Sequence, residues 1–144
     1  MKNFYVDSSS LLKRYIEEAG SEEVQGIFQE TPRIFVSWLT YSECVATFGR
    51  LHRTNFIRSE EYEYLVDSFV NDWQGFEVNR ETEQLEPIIT SLVTRFGLRG
   101  ADAVQLACAV FLMERDIHLK FVCSDRSLAN VAKDAKLKVM TPGL

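Results

Sequence analysis

LRGADAVQLACAVFLMERDIHLKFVCSD, residues Leu98 to Asp125, sets the architecture of this chain. Gly97 and Gly100 break the backbone ahead of it, and a strongly apolar run predicts a helix from about Ala101 to Arg115. Ala103, Val104, Leu106, Ala107, Cys108, Ala109, Val110, Phe111, Leu112 and Met113 make it apolar on nearly every face. Such a helix is a central, buried one. After a short polar turn, Phe121-Val122-Cys123 reads as a strand, and Ser124-Asp125 follow. Asp102 therefore opens a core helix and Asp125 lies just past a core strand. An ionised carboxylate at the edge of a core needs a partner, because burying it alone costs several kcal/mol or raises its pKa.

The segments on either side repeat the pattern. Asn3-Phe4-Tyr5-Val6 is a β-prone run with Asp7 directly after it. Ser8, Ser9 and Ser10 offer cap oxygens for a helix through Leu11, Leu12, Tyr15 and Ile16, closed by Gly20. Ser21 is expected to cap a second helix, with Glu22 and Glu23 in its first turn where they suit the helix dipole. Pro32 ends it, and Arg33-Ile34-Phe35-Val36 is the second strand. Thr40-Tyr41-Ser42-Glu43 has the form of a capping box for the third helix. A fourth helix is expected from about Ser59 to Trp73, a short strand at Phe76-Glu77-Val78, and a helix from about Thr82 with Pro87 near its start. Arg126 to Ala135 is helical, and Lys138-Val139-Met140 is a last strand. Short apolar strands alternating with helices predict an α/β fold: one domain over residues 1–144, three layers, α/β/α, with a mostly parallel sheet.

Composition narrows the function. The 144 residues and 46% hydrophobic content are those of an ordinary globular domain. The longest apolar run, Leu106 to Met113, is far short of the roughly 20 residues that span a bilayer. The N-terminus reaches Asp7 too soon for a signal peptide, so a cytoplasmic location is expected. Cys44, Cys108 and Cys123 are odd in number and share no CxxC spacing, which argues against a disulfide framework or a zinc site. With only His52 and His118 present, a histidine-rich metal site is disfavoured. No GxGxxG or P-loop is present. The net charge of −5 does not advertise a nucleic-acid binder.

Asp7, Glu43 and Asp125 each follow a predicted strand, and Asp102 opens the core helix. Ligands of parallel sheets bind outside the carboxyl ends of the strands, so these acids are expected to gather at one edge. Clustered carboxylates repel and raise one another's pKa unless a cation joins them. Mg²⁺ takes oxygen ligands, needs only one or two carboxylates directly, activates water and stabilises a phosphoryl transition state. Phosphodiester hydrolysis fits this inventory. A phosphatase working through an aspartyl phosphate wants a second Asp where Ser9 stands, and a phosphoacceptor domain wants adjacent acids after the first strand, which Val6-Asp7-Ser8 lacks.

Phe4-Tyr5-Val6-Asp7-Ser8-Ser9, Ser42-Glu43, Leu98 to Ala107 and Val122-Cys123-Ser124-Asp125 resemble the PIN domain, and the length and helix order are similar to VapC-type toxins of toxin–antitoxin pairs. The resemblance covers essentially the whole chain. It implies a Mg²⁺- or Mn²⁺-dependent endoribonuclease, with Asp7, Glu43, Asp102 and Asp125 as catalytic and metal-binding acids and the Ser9 hydroxyl orienting Asp7. It also implies a homodimer and a small antitoxin protein. One departure stands out: the family often carries Ser or Thr two residues before its last Asp, and here Cys123 occupies that place. A stand-alone RNA-processing nuclease and a catalytically silent protein-interaction domain are the rival readings on the same fold.

Each acid also has a plainer reading. Asp7 can cap the first helix, Glu43 can complete the Thr40 capping box, and Asp102 and Asp125 can be first-turn acids. Lys13, Arg14, Arg50, Arg53, Arg58, Arg95 and Arg99 are candidates for phosphate contacts or for solvated faces, and Trp38, Tyr41 and Phe56 for base stacking or core packing. Tyr62, Tyr64 and Phe69, beside Leu65 and Val66, are expected to be exposed at a dimer or antitoxin interface.

Overall fold

Five short strands lie side by side in the computed structural model, which describes residues 2–144. They are β1 (Asn3–Val6), β2 (Arg33–Ser37), β3 (Glu77–Asn79), β4 (Lys120–Val122) and β5 (Lys138–Met140). Their order is β3-β2-β1-β4-β5, and every neighbouring pair is parallel. The helices are α1 (Ser8–Leu11), α2 (Ser21–Gln29), α3 (Trp38–Arg53), α4 (Ser59–Trp73), α5 (Thr82–Phe96), α6 (Gly100–Glu114) and α7 (Arg126–Asp134), with a 3-10 turn at Leu12–Arg14.

Successive strand residues feed opposite cores. Tyr5, Phe35 and Phe121 pack with residues of α5, α6 and α7. Their neighbours Phe4, Val6, Ile34, Val36 and Val122 pack with residues of α1 to α4. A parallel sheet covered on both faces needs continuous apolar strands, which is why these strands show no polar alternation. The fold is the three-layer α/β/α architecture expected, and α6 is its buried helix, with Gln105 to Leu112 all buried. The three cysteines are free and buried.

Several local expectations are corrected. The first helix stops at Leu11 and tightens into the 3-10 turn. Serines are mediocre helix formers, and the hydroxyls of Ser8, Ser9 and Ser10 go to Glu43, Asp7 and Ser124 instead of capping. Ser21 does not cap α2; Gly20 does, at φ 96°, while Ser21 Oγ accepts from Glu18 N and donates to the Ile16 carbonyl. Gly20 is required there, since a Cβ would stand 2.6 Å from the Gly143 nitrogen. The third helix begins at Trp38, capped by Ser37, whose Oγ accepts from Leu39 N at 3.1 Å. β2 runs one residue further than expected because Ser37 still pairs with Asn79 of β3. The Thr40 capping box therefore does not form, and Thr40 and Glu43 sit inside α3, one turn apart on one face.

Phe69 is corrected as well. It is fully buried, with the rings of Tyr15, Tyr41, Phe48 and Trp73 around it at centroid distances of 5.5 to 5.8 Å. Tyr62 stacks on His52 and is half-buried. Tyr64 alone of that group is exposed, at 73%.

Candidate active site

From β1 the chain winds outward through β2 and β3, then returns past β1 to β4 and β5. The reversal falls between β1 and β4, and such switch points open a crevice at the carboxyl ends of the strands. Asp7 stands there: it directly follows β1, and its N–H donates to the Val122 carbonyl at 2.9 Å. Its side chain is buried and caps α1. The capping role and a site role coexist, because a single oxygen does the capping. Asp7 Oδ2 accepts from Ser9 N at 3.3 Å and from the Ser9 hydroxyl at 2.5 Å, and Cys123 Sγ lies 3.6 Å from it. Ser9 Oγ also accepts from Ser124 N at 3.0 Å, which ties the end of β1 to the segment after β4.

Glu43 reaches the same edge from α3. Its Oε1 accepts from the Ser8 hydroxyl at 3.1 Å and from Gln105 Nε2 at 2.8 Å. Asp102 lies half-buried in the first turn of α6. Asp125 is exposed and caps α7, Oδ1 accepting from Leu128 N at 3.0 Å. Cys123, where the resemblance leads one to look for a hydroxyl, turns its thiol to Asp7 and to the Asp125 backbone, not to the Asp125 carboxylate.

One pattern unites these side chains. Asp7, Glu43 and Asp125 are each gripped through one carboxylate oxygen, and among the described residues no protein donor reaches the other. No ion pair among the described residues involves any of the four acids. Electrostatics records the consequence. Burial, reinforced by the Glu43 charge and opposed by the Ser9 hydrogen bonds, pushes Asp7 up to about 6. Burial first, then the charges of Asp125 and Glu43, raise Asp102 against the pull of Arg99. The four acids thus share one electrostatic neighbourhood in which Arg99 offsets part of the charge on Asp102 and no ion pair among the described residues neutralises any of them.

The donor set suits a hard divalent cation: all oxygen, ionisable, with free lone pairs. No three His, Cys, Asp or Glu side chains among the described residues converge tightly enough to ligate one ion together. Mg²⁺, which keeps much of its water and uses one or two carboxylates directly, does not require that. None of the four acids lines the three best-formed cavities among the described residues. The cavity of about 390 Å³ bounded by Lys2, Lys120, Lys136, Lys138 and His118 opens at the amino ends of the strands, on the far edge. The acids stand instead at the opposite edge, where the switch point opens a crevice at the carboxyl ends of the strands.

Three polar residues of the site were not singled out from the sequence as functional: Tyr5, Thr40 and Gln105. The signal for Gln105 was its position as the one strongly polar side chain within Ala103 to Met113. Of the candidate cations, Lys13, Arg14 and Arg58 are engaged by Glu18, Asp72 and Glu61. Arg50, Arg53 and Arg99 make no ion pair among the described residues.

A five-stranded parallel sheet in this order, with its helices on both faces, is the PIN-like fold. No protein-family model matches the sequence, and no curated protein does. Among solved structures the chain is similar to VapBC2 from Rickettsia felis, in a structure bound to a DNA fragment from the promoter, with 10% identity, TM-score 0.65, and 97% of this chain and 98% of that one covered. FitAcB from Neisseria gonorrhoeae is similar at 13% identity and TM-score 0.64, over 96% of this chain and 97% of that one. PAE2754 from Pyrobaculum aerophilum follows at 16% identity and TM-score 0.55, over 90% and 84%. At these identities the likeness is one of fold. No single helix among the described residues is long and apolar enough to cross a membrane.

Proposed function

We propose that this chain is a divalent-cation-dependent endoribonuclease, the toxin of a toxin–antitoxin pair, working with Mg²⁺ or Mn²⁺. The observation that carries the reading is the set of four unpaired acids at the switch point, with Asp7, Glu43 and Asp125 each held by one oxygen and open at the other. Asp7, Glu43, Asp102 and Asp125 would hold the cation. When bound, it activates water and offsets the charge that builds on the phosphate. Ser9 fixes Asp7, and Gln105 and Ser8 fix Glu43, so the open oxygens are oriented before substrate arrives. Water is added across a phosphodiester, and the bond from phosphorus to the leaving ribose oxygen breaks. Arg99, next to Asp102, and the exposed Trp38 suit the phosphates and bases of a single strand. The similarity to VapBC2 and FitAcB supports an antitoxin partner. Tyr64 on α4 and Phe56, 73% and 78% exposed, supply apolar surface for that partner or for a homodimer.

Cleavage of single-stranded RNA is expected with Mg²⁺ or Mn²⁺, without Zn²⁺, and is expected to vanish with chelator. Asp102→Asn should lose both cleavage and the rise in melting temperature that Mg²⁺ confers on the wild type. RNA cleavage that survives exhaustive chelation, or an Asp102→Asn protein that cuts and responds to Mg²⁺ normally, would sink this reading.

A further inference from the structure

Behind Glu43 the core holds polar side chains that the four acids do not account for. Asp102 and Gln105 are one turn apart on α6, and Thr40 and Glu43 are one turn apart on α3, so the two helices meet along a polar seam. Gln105 is 1% exposed and Thr40 is fully buried. The Gln105 amide donates from Nε2 to Glu43 Oε1 at 2.8 Å and to Thr40 Oγ1 at 2.9 Å. Its Oε1 accepts from the Tyr5 hydroxyl at 2.5 Å. Charge sets the direction of this chain of bonds. An ionised carboxylate only accepts, so Glu43 takes the amide NH₂, which leaves the amide oxygen for Tyr5. Tyr5 is fully buried, and its phenol supplies an O–H that the amide oxygen takes.

A buried amide is tolerated only when its groups are satisfied. Here one end is anchored on β1 by Tyr5, and the other grips an acid on α3. We propose that Gln105 is a positioning residue for Glu43: anchored by Tyr5 and Thr40, it pins Oε1 and so leaves Oε2 as the oxygen offered to a divalent cation. The inference rests on the nuclease reading above. It makes the buried centre of α6 part of the site, one turn below Asp102.

The test is calorimetric titration of Mn²⁺ into RNA-free protein, with melting curves alongside. Gln105→Met keeps the volume and removes the amide, which strands the Tyr5 hydroxyl, so its melting temperature should fall. Adding Tyr5→Phe in the same chain should recover part of that loss. Both proteins should still bind Mn²⁺ about 10-fold or more weakly than wild type, the size seen when a group that orients a metal ligand is lost. A merely structural role predicts that affinity returns with stability. Should Gln105→Met not fold, Tyr5→Phe alone removes the hydroxyl that anchors the amide and must itself weaken Mn²⁺ binding. Wild-type affinity in the folded double variant, or in Tyr5→Phe where that is the variant measured, overturns the proposal while leaving the nuclease reading intact. A wild-type protein that binds no Mn²⁺ overturns both, and the same titration tells the two failures apart.

Discussion

Asp7→Asn is expected to abolish RNA cleavage and, in the absence of divalent cations, to raise the melting temperature at neutral pH. The two effects have one cause. Asp7 is buried beside Glu43 with no protein cation, and burial with that repulsion lifts its pKa from 3.8 to about 6. In the unfolded chain the same carboxyl ionises near its ordinary value. Below about pH 4 both states hold the proton and Asp7 costs the fold nothing. Between there and pH 6 the unfolded state releases its proton first, so stability falls as pH rises. Above pH 6 the full penalty stands, about 3 kcal/mol at 1.36 kcal/mol per pKa unit. Asparagine keeps an oxygen for the Ser9 hydroxyl and the α1 cap but carries no charge. The gap between wild-type and variant melts should therefore be near zero at pH 4 and largest at pH 7. Mg²⁺ should close it by stabilising the wild type alone. A variant that still cuts RNA, or a gap that does not grow between pH 4 and pH 7, would show that Asp7 is only the cap of α1.

Phe69→Ala should have the largest effect on stability, about 4 kcal/mol, at the centre of the range for emptying a buried aromatic site. The ring is fully buried and its walls are four other aromatic side chains, Tyr15, Tyr41, Phe48 and Trp73. Tyr15 and Phe48 meet it edge on and Tyr41 and Trp73 at a tilt, and flat, stiff rings have few other rotamers with which to fill the space. Such a loss is a large share of the stability of a typical domain and should lower the melting temperature by about 10 °C. Phe69 joins α4 to α3, the helix that carries Glu43, and takes no part in the hydrogen bonds that hold the acids. Below its lowered melting temperature the variant should still bind Mn²⁺. Tyr64→Ala, on the exposed side of the same helix, should stay within about 0.5 kcal/mol of wild type. If the two substitutions cost the same, the aromatic cluster is not the keystone of α3 against α4.

Much of the architecture is written in local pattern. Short apolar strands alternating with helices required a parallel sheet, and the uniformly apolar run after Gly100 required a buried helix, because apolar surface must go somewhere dry. Asp7, Glu43, Asp102 and Asp125 could be expected at one edge from order alone, since an acid that follows a strand or opens a core helix reaches the carboxyl end of a parallel sheet. These inferences use neighbours in the chain, and neighbours suffice for them.

Other features were decided by residues far apart. Ser37 and Thr40 are both competent helix caps, and only the pairing of Ser37 with Asn79 of β3 selected the first. That choice took Glu43 out of a capping box and left its carboxylate to Ser8 and Gln105. Phe69 reads as a surface residue along α4 until the rings from Tyr15, α3 and Trp73 close over it. Gln105 looks like an interruption in an apolar helix until Thr40 and Glu43, 65 and 62 residues away, supply its partners. The elevated pKa of Asp7 arises the same way. Its hydrogen bonds to Ser9 are local and lower the pKa, whereas the burial and the Glu43 charge that raise it exist only once β1, α3 and β4 have come together. Periodicity reports which face of an element is apolar, but a charge or an amide takes its energy from whatever the fold places beside it.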